Sequence, residues 1–314
     1  MTNLIAIVGQ TATGKTKLAL ELAKKHNGEL INFDSRQIYK YLDIITGKDL
    51  PNNTKLKDEY FLIPNPYSLI PIRLWFYDIV SPDQYFSSFD FVKLVTPIIA
   101  DIKKSGKTPI LVGGTYLYLK HLLYGFDDDN SPPDFKLRNE LNNKTVKELQ
   151  DILTKLDVQS INRLNNSDRN NPRRLIRRIE IETGVETSGI PAAWRRPFES
   201  RTPTGKKARQ APFQFKIIGL KYKDKGKLRQ AIEKRVGERL KNGAINEVKK
   251  LLQMGYKESD PGMKTIGYQQ IIKYLNKQMT EKQAVEDWIN KEIQYAKRQL
   301  TFMKKDTNIK WREI

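Results

Sequence analysis

At 314 residues, with 39% hydrophobic and 29% charged content, the chain exceeds one ordinary domain and carries enough apolar material for a buried core. It has no Cys and only His26 and His121, which excludes disulfides, thiol catalysis and a Cys/His zinc site and leaves oxygen ligands for any metal, Mg²⁺ with phosphate being the natural case. The net charge of +20 is lopsided: residues 1–128 hold 15 Lys and Arg against 13 Asp and Glu, a net of +2, which leaves +18 for residues 129–314 and favours a polyanionic partner, nucleic acid before a plain basic surface.

Residues 4–8 form a short apolar run with β-branched members, the length of a buried strand. Gly9, Gln10, Thr11, Ala12, Thr13, Gly14, Lys15 and Thr16 then fit G-x-x-x-x-G-K-[ST] at every fixed position, and residues 17–26 carry a helical apolar face. Strand, glycine loop and helix are the context in which that pattern is a P-loop rather than a chance match. Backbone N–H groups at the helix start bind a diphosphate, Lys15 adds a cation, and the Thr16 hydroxyl can hold Mg²⁺.

Residues 29–33 read as a second strand, 86–104 as a helix, 109–112 as a strand ending in Gly-Gly-Thr, and 116–123 as a helix. Strands alternating with helices imply a parallel sheet covered on both faces. From about Gly125 the character changes. "DDDNSPP" at 127–133 is a turn-rich boundary, read as a solvated loop before a metal site. Residues 134–205 look helical and polar, and 163–209 carries twelve Lys and Arg against five Asp and Glu. Residues 213–220 return to a strand, and the rest is helical to about Lys305. The expected architecture is therefore an α/β, P-loop NTPase-like core of residues 1–125 and 206–314. A helical domain at 126–205 interrupts it, and the C-terminal part is helical. No apolar run reaches the roughly 18 residues of a membrane span, and Met1-Thr2-Asn3 opens no signal peptide. The expected setting is the cytoplasm, with no membrane partner.

Four further stretches carry chemistry. "NFDSRQIYKYLDIITGKD" places Asp34 and Ser35 where a strand ends, on the sheet edge that binds ligands in open α/β folds. A carboxylate there coordinates Mg²⁺, accepts a proton, or simply caps a helix. The strand at 109–112 ends without an acidic residue, which counts mildly against phosphoryl transfer. "NNPRRLIRRIEI" sets Arg173, Arg174, Arg177 and Arg178 on a helix opened by Pro172, with Leu175, Ile176 and Ile179 inward. Such crowded cations repel unless a polyanion relieves them, the alternative being a solvated face. "LRQAIEKRVGERLKNG" is an amphipathic helix with Arg235 and Arg239 one turn apart, "GMKTIGYQQI" is a glycine-bracketed turn entering a helix, and "YAKRQLTFMKK" interleaves basic residues with Tyr295 and Phe302.

Taken in order, GQTATGKT, DSRQIYKYLDIITGK, LVGGTYLY, NNPRRLIRRIE, FKIIGL, KTIGYQQ and YAKRQLTF resemble the tRNA dimethylallyltransferases, across nearly the whole chain. The resemblance implies transfer of a dimethylallyl group from dimethylallyl diphosphate to N6 of the adenosine 3′-adjacent to the anticodon of tRNA, with the P-loop holding the diphosphate leaving group. It implies Asp34 as general base, with Thr11, Lys15, Mg²⁺ at Thr16 and Arg235 stabilising the departing diphosphate. The flipped-out base would sit in a channel lined by Ser35, Arg36, Gln37, Thr115 and the turn of Lys264, Thr265, Ile266, Gly267, Tyr268 and Gln269. The segment Arg173–Arg177, Leu175 and Ile176 included, with Arg138, would hold the anticodon arm. Three places depart from the family pattern: Gln10 stands where Pro is common, Leu74-Trp75 where a His pair is frequent, and Glu292-Ile293 where a Thr-Arg pair is usual. A monomer with no DNA partner is expected. The competing readings are a P-loop kinase of a nucleoside or small metabolite, which gives the basic insertion no role, and a non-catalytic RNA-binding NTPase.

Overall fold

The computed structural model describes residues 4–65, 70–125, 134–183 and 214–314. The polar boundary at 127–133, residues 184–205 of the expected insertion and Met1-Thr2-Asn3 lie outside the described residues. The chain divides into two compact units: Met1–Leu123 with Ala211–Ile314, and Tyr124–Gln210.

The larger unit is built on β1 (Leu4–Gly9), β2 (Gly28–Asn32), β3 (Lys55–Lys57), β4 (Tyr60–Ile63), β5 (Ile72–Trp75), β6 (Thr108–Val112), β7 (Phe215–Lys221) and β8 (Ile309–Glu313). They form one sheet in the order β3-β4-β5-β2-β6-β1-β7-β8. Strands β2 and β6 are buried along their whole length and β1 nearly so, as parallel strands covered on both faces must be. Their register sets Ile5 opposite Ile110 and Asn32 opposite Val112, so the chain ends of β1, β2 and β6 share one edge. At that edge Gly9 runs beside Leu220; a Cβ on it would lie 2.3 Å from the Leu220 carbonyl oxygen.

The sheet is not purely parallel. Strands β3, β4 and β5 pair antiparallel at one edge, and β8 adds a parallel strand beyond the last helix at the other. Strands β3 and β5 have three and four residues, too short to give a periodic signal against the surrounding loop.

The helices of this unit are α1 (Lys15–Lys25), α2 (Ser88–Lys104), α3 (Tyr116–Tyr124), α9 (Lys225–Lys241), α10 (Ala244–Gln253), α11 (Tyr268–Leu275) and α12 (Glu281–Met303). Ser87 and Asp90 form a reciprocal capping box that starts α2. Ala19 and Ala23 of α1 pack on Ile7, Leu30 and Ile110, small side chains letting the helix lie close to the strands. A second cluster joins Ile232 and Val236 of α9, Ile271 of α11 and Trp288 of α12 to Ile38, Leu42 and Ile45. Each such buried side chain contributes about 1.5–3 kcal/mol. This cluster fixes the segment after β2 against the C-terminal helices, which is how distant parts of the chain meet at one site.

The smaller unit holds α4 (Phe135–Leu141), α5 (Val146–Leu156), α6 (Val158–Arg163), α7 (Asn166–Arg169) and α8 (Pro172–Glu182). Leu141, Leu149, Leu153, Leu175, Ile176 and Ile179 make its core. Asn171 caps α8 through the N–H groups of Arg173 and Arg174, and Pro172 occupies the first turn, where a missing N–H costs nothing. Among the described residues no helix is long and apolar enough to cross a membrane.

Candidate active site

A cavity of about 790 Å³ opens at the edge where β1, β2 and β6 end, lined from Thr11 to Thr16, from Asp34 to Gln37 and from Gly113 to Thr115, with α9 and α12 closing it. The P-loop forms its floor. Ala12 at φ +61° and Gly14 at φ +75° turn the backbone so that α1 begins at Lys15. The Gln10 carbonyl accepts from Thr13 Oγ1 at 2.8 Å and from Lys15 Nζ at 2.7 Å. The Lys15 residue is partly exposed at the helix start, but its ammonium lies deep: burial and then Arg235 lower its pKa to about 8, against the opposing fields of Asp34 and Glu292.

Above the loop, Arg235 Nη1 donates to Thr11 Oγ1 at 2.5 Å. Arg239, one turn on, is 6% exposed and reaches Glu292 Oε1 at 3.4 Å. Burial and the neighbouring Arg235 lower its pKa to about 10. Gly47, at φ +69°, lies flat against both guanidinium groups; a Cβ there would meet Arg235 Nη2 at 2.4 Å. A concave site with cations and helix-start N–H groups so placed has the chemistry to hold a polyphosphate.

Asp34 follows β2. Its Oδ1 accepts from the Arg36 N–H at 3.0 Å, and its own N–H donates to Asn32 Oδ1 at 3.0 Å. The carboxylate therefore caps a turn, not a helix, and its Oδ2 stays beside Gly114, where a Cβ would be 3.0 Å away. The Ser35 N–H donates to Thr115 Oγ1 and Thr115 Oγ1 to Ser35 Oγ, both at 3.0 Å. Arg36 Nη1 donates to the Pro261 carbonyl at 3.1 Å, and Gln37 Nε2 to the Gly47 carbonyl at 2.8 Å.

Not every expected residue reaches this cavity. Gly9 and Gln10 lie behind it: Gln10 is 3% exposed, and its side chain accepts from the Tyr222 N–H at 3.1 Å. Of the turn at 264–269, Lys264, Thr265 and Ile266 line the wall. Gly267 packs against Ile45 and Trp288, Tyr268 is wholly buried with its hydroxyl on Glu247, and Gln269 Nε2 donates to the Met263 carbonyl at 3.0 Å. These three hold the turn rather than face a ligand.

Arg138, Arg173, Arg174 and Arg177 belong to the smaller unit, and there the expected mutual repulsion is relieved from within. Glu180, with no exposed side-chain surface, receives Arg138 Nε at 2.5 Å and Nη2 at 2.9 Å, Arg177 Nη1 at 3.2 Å and the Asp134 N–H at 3.1 Å. Arg174 pairs with Asp168, and Arg178 with Glu182 at 3.0 Å. Leu175 and Ile176 are 0% and 5% exposed, so their side chains serve the core and not a ligand surface. Arg173 is exposed.

Several wall residues carried no expectation. Gln299 accepts from the Thr11 N–H at 3.1 Å and donates to the Gly114 carbonyl at 2.9 Å, tying the P-loop to the end of β6. Tyr295 lines the wall beside it; burial, then the Asp34 carboxylate, raise its phenol above the ordinary range. Both stand in the YAKRQLTF motif, which was the available signal. Of the departures from the family pattern, Glu292 is in the cavity wall and Gln10 lies behind it. Trp75 is elsewhere, its indole N–H donating to buried Glu29 at 2.9 Å.

A mostly parallel sheet with a glycine loop opening a helix, and a carboxylate at the end of the adjoining strands, defines a P-loop-like α/β protein. Comparison with known proteins narrows this. The IPP transferase family model matches residues 37–306 and the isopentenyl transferase model residues 2–66. A tRNA dimethylallyltransferase of Carboxydothermus hydrogenoformans is 37% identical over 98% of this chain and 91% of its own, and one of Acetivibrio thermocellus 34% identical over 99% and 91%. The tRNA isopentenylpyrophosphate transferase of Bacillus halodurans superposes with a TM-score of 0.65 at 30% identity, over 100% of this chain and 90% of its own. A eukaryotic dimethylallyltransferase acting on tRNA gives 0.75 at 26% identity, over 100% and 74%. The chain belongs to the IPP transferase family, whose named relatives here are tRNA dimethylallyltransferases.

Proposed function

We propose that this protein transfers a dimethylallyl group from dimethylallyl diphosphate to N6 of the adenosine 3′-adjacent to the anticodon of tRNA, releasing diphosphate. The observation that carries the reading is the cavity itself, where the Asp34 carboxylate at the end of β2 lies with the P-loop, Arg235 and Arg239. An adenine amine is a weak nucleophile because its lone pair is delocalised. As N6 forms its bond to the allylic carbon, the carbon–oxygen bond to the diphosphate breaks. Asp34 accepts the N6 proton, a step for which a positioned base contributes about 10²–10⁴. The loop N–H groups, Lys15 and Arg235, held by Thr11, take the charge gathering on the diphosphate. Thr16, first-turn neighbour of Lys15, would supply a hydroxyl to Mg²⁺; the oxygen-only donor set at the P-loop fits that ion, which when bound neutralises diphosphate charge. A base reaches such a cavity only when unstacked from its neighbours.

The test is incubation with Mg²⁺, labelled dimethylallyl diphosphate and tRNA, followed by digestion. Label on an adenosine is the expected result. Phosphate transfer from ATP instead would make the protein a kinase, and tight ATP binding with no product on RNA a non-catalytic NTPase.

A further inference from the structure

Tyr77 is 6% exposed yet lines the cavity. Its ring packs edge-on against Phe61, with centroids 6.1 Å apart. Among the described residues its hydroxyl makes no hydrogen bond, and the oxygen is not sealed off but opens to the cavity. Buried phenols nearly always have a partner.

The backbone is bent to put it there. Phe76 at φ +70° and Asp78 at φ +57° flank Tyr77, both left-handed and neither glycine. Bulky residues hold that conformation only where their surroundings enforce it, and such places cluster at ligand sites. Here Asn32 Nδ2 donates to the Phe76 carbonyl at 3.0 Å, and Lys48 is bonded to Asp78.

The surrounding charges choose the ligand. Asp34, Asp49 and Asp78 bear on the Tyr77 hydroxyl, with Arg235 opposing them. With three carboxylates beside it, that spot suits an anionic diphosphate less than the P-loop does, and a prenyl chain offers no acceptor. A neutral heterocycle does. Resting on the function proposed above, we infer that the Tyr77 hydroxyl reads the target base, donating a hydrogen bond to an adenine ring nitrogen that flanks the amine facing Asp34. Burial and the Asp34 carboxylate hold the phenol protonated, so it keeps a hydrogen to donate. A polar site left unpaired discriminates strongly against a base lacking the acceptor.

The experiment pairs Tyr77→Phe with tRNA carrying 1-deazaadenosine or 7-deazaadenosine at the target position, each a carbon in place of one flanking nitrogen. Tyr77→Phe is expected to lower kcat/KM on adenosine by about tenfold to a hundredfold. One of the two deaza substrates should lower the unaltered enzyme similarly while leaving the variant no worse. The variant should melt no lower than the parent, since no bond of the free protein is lost, and bind inorganic diphosphate equally well. Full activity on adenosine, additive losses with both deaza substrates, or weakened diphosphate binding in its place would each overturn the inference. Absence of transfer by the unaltered protein would instead overturn the function proposed above.

Discussion

The two units treat positive charge in opposite ways. In the larger one, Lys15, Arg235 and Arg239 are few, deep and fixed: Lys15 on the Gln10 carbonyl, Arg235 on Thr11 and Arg239 beside Glu292. In the smaller one the arginines are many, yet Glu180, Glu182 and Asp168 take up Arg138, Arg177, Arg178 and Arg174. The count of cations is therefore a poor guide to which of them can meet a ligand. Buried charges are strong and oriented, whereas a surface arginine meets a phosphate in competition with water and salt.

The contrast predicts its largest effect at Asp34. Asp34→Asn keeps the turn bond to the Arg36 N–H but accepts no proton, so single-turnover transfer should fall by about 10²–10⁴ with tRNA and donor binding little changed. The measurement is made across a Mg²⁺ titration. A rate restored by extra Mg²⁺ would make Asp34 a metal ligand, and a near-normal rate would leave it only a turn cap, for which a loss of about 1 kcal/mol of stability is typical.

Lys15→Ala comes next. Removing a buried cation from a developing anion should lower turnover by about 10²–10³, while tRNA binding persists. The Lys15 pKa near 8 adds a pH signature. In the empty site the ammonium is charged below about pH 8 and loses its proton above it. Bound diphosphate favours the charged form, so affinity for inorganic diphosphate should decline as pH rises past 8, by up to about tenfold per unit. Calorimetry in buffers of different ionisation enthalpy should show proton uptake on binding above that pH, and none in Lys15→Ala. Sign matters for folding too: the lowered pKa means the unfolded chain binds more protons between about 8 and 10.5, so this group's penalty on stability shrinks as pH rises through that window.

How much of this was legible in the sequence depends on the distance over which each contact closes. The strand, loop and helix of residues 4–25 are local, and so is the turn that presents Asp34; periodicity and spacing reveal both. Gln299 touches Thr11 across 288 positions, and Tyr77 enters from a four-residue strand followed by two left-handed residues. No periodicity encodes such meetings, because the packing of α9, α11 and α12 around Ile38, Leu42 and Ile45 produces them. The arginines of α8 show the other side of this. Of the carboxylates that pair with them, Glu180 and Glu182 lie on α8 itself, three and four residues on, and Asp168 on α7, and a count of cations alone does not weigh those partners.

Within the smaller unit, Arg138→Ala leaves buried Glu180 with Arg177 and the Asp134 N–H alone. Stranding part of a buried ion cluster is expected to destabilise by about 3 kcal/mol. Denaturant unfolding should register that loss, and Arg138→Ala combined with Glu180→Leu should recover part of it. A variant as stable as the parent would mean that the Arg138–Glu180 pair does not hold the unit together.

Arg173→Ala should do the reverse, leaving stability within about 0.5 kcal/mol, as exposed substitutions do. If the exposed end of α8 meets a tRNA phosphate, each lost contact lowers the slope of log affinity against log salt by about 0.7–0.9. The same titration on Arg178→Ala, whose guanidinium is engaged by Glu182 and Ser160, should give an unchanged slope, since that cation contributes to folding and not to counterion release. Equal slopes for the parent and both variants would make α8 a solvated face and move the tRNA-binding charge elsewhere on the chain. A reduced slope in Arg173→Ala alone would separate the cations that hold the unit together from those that hold RNA.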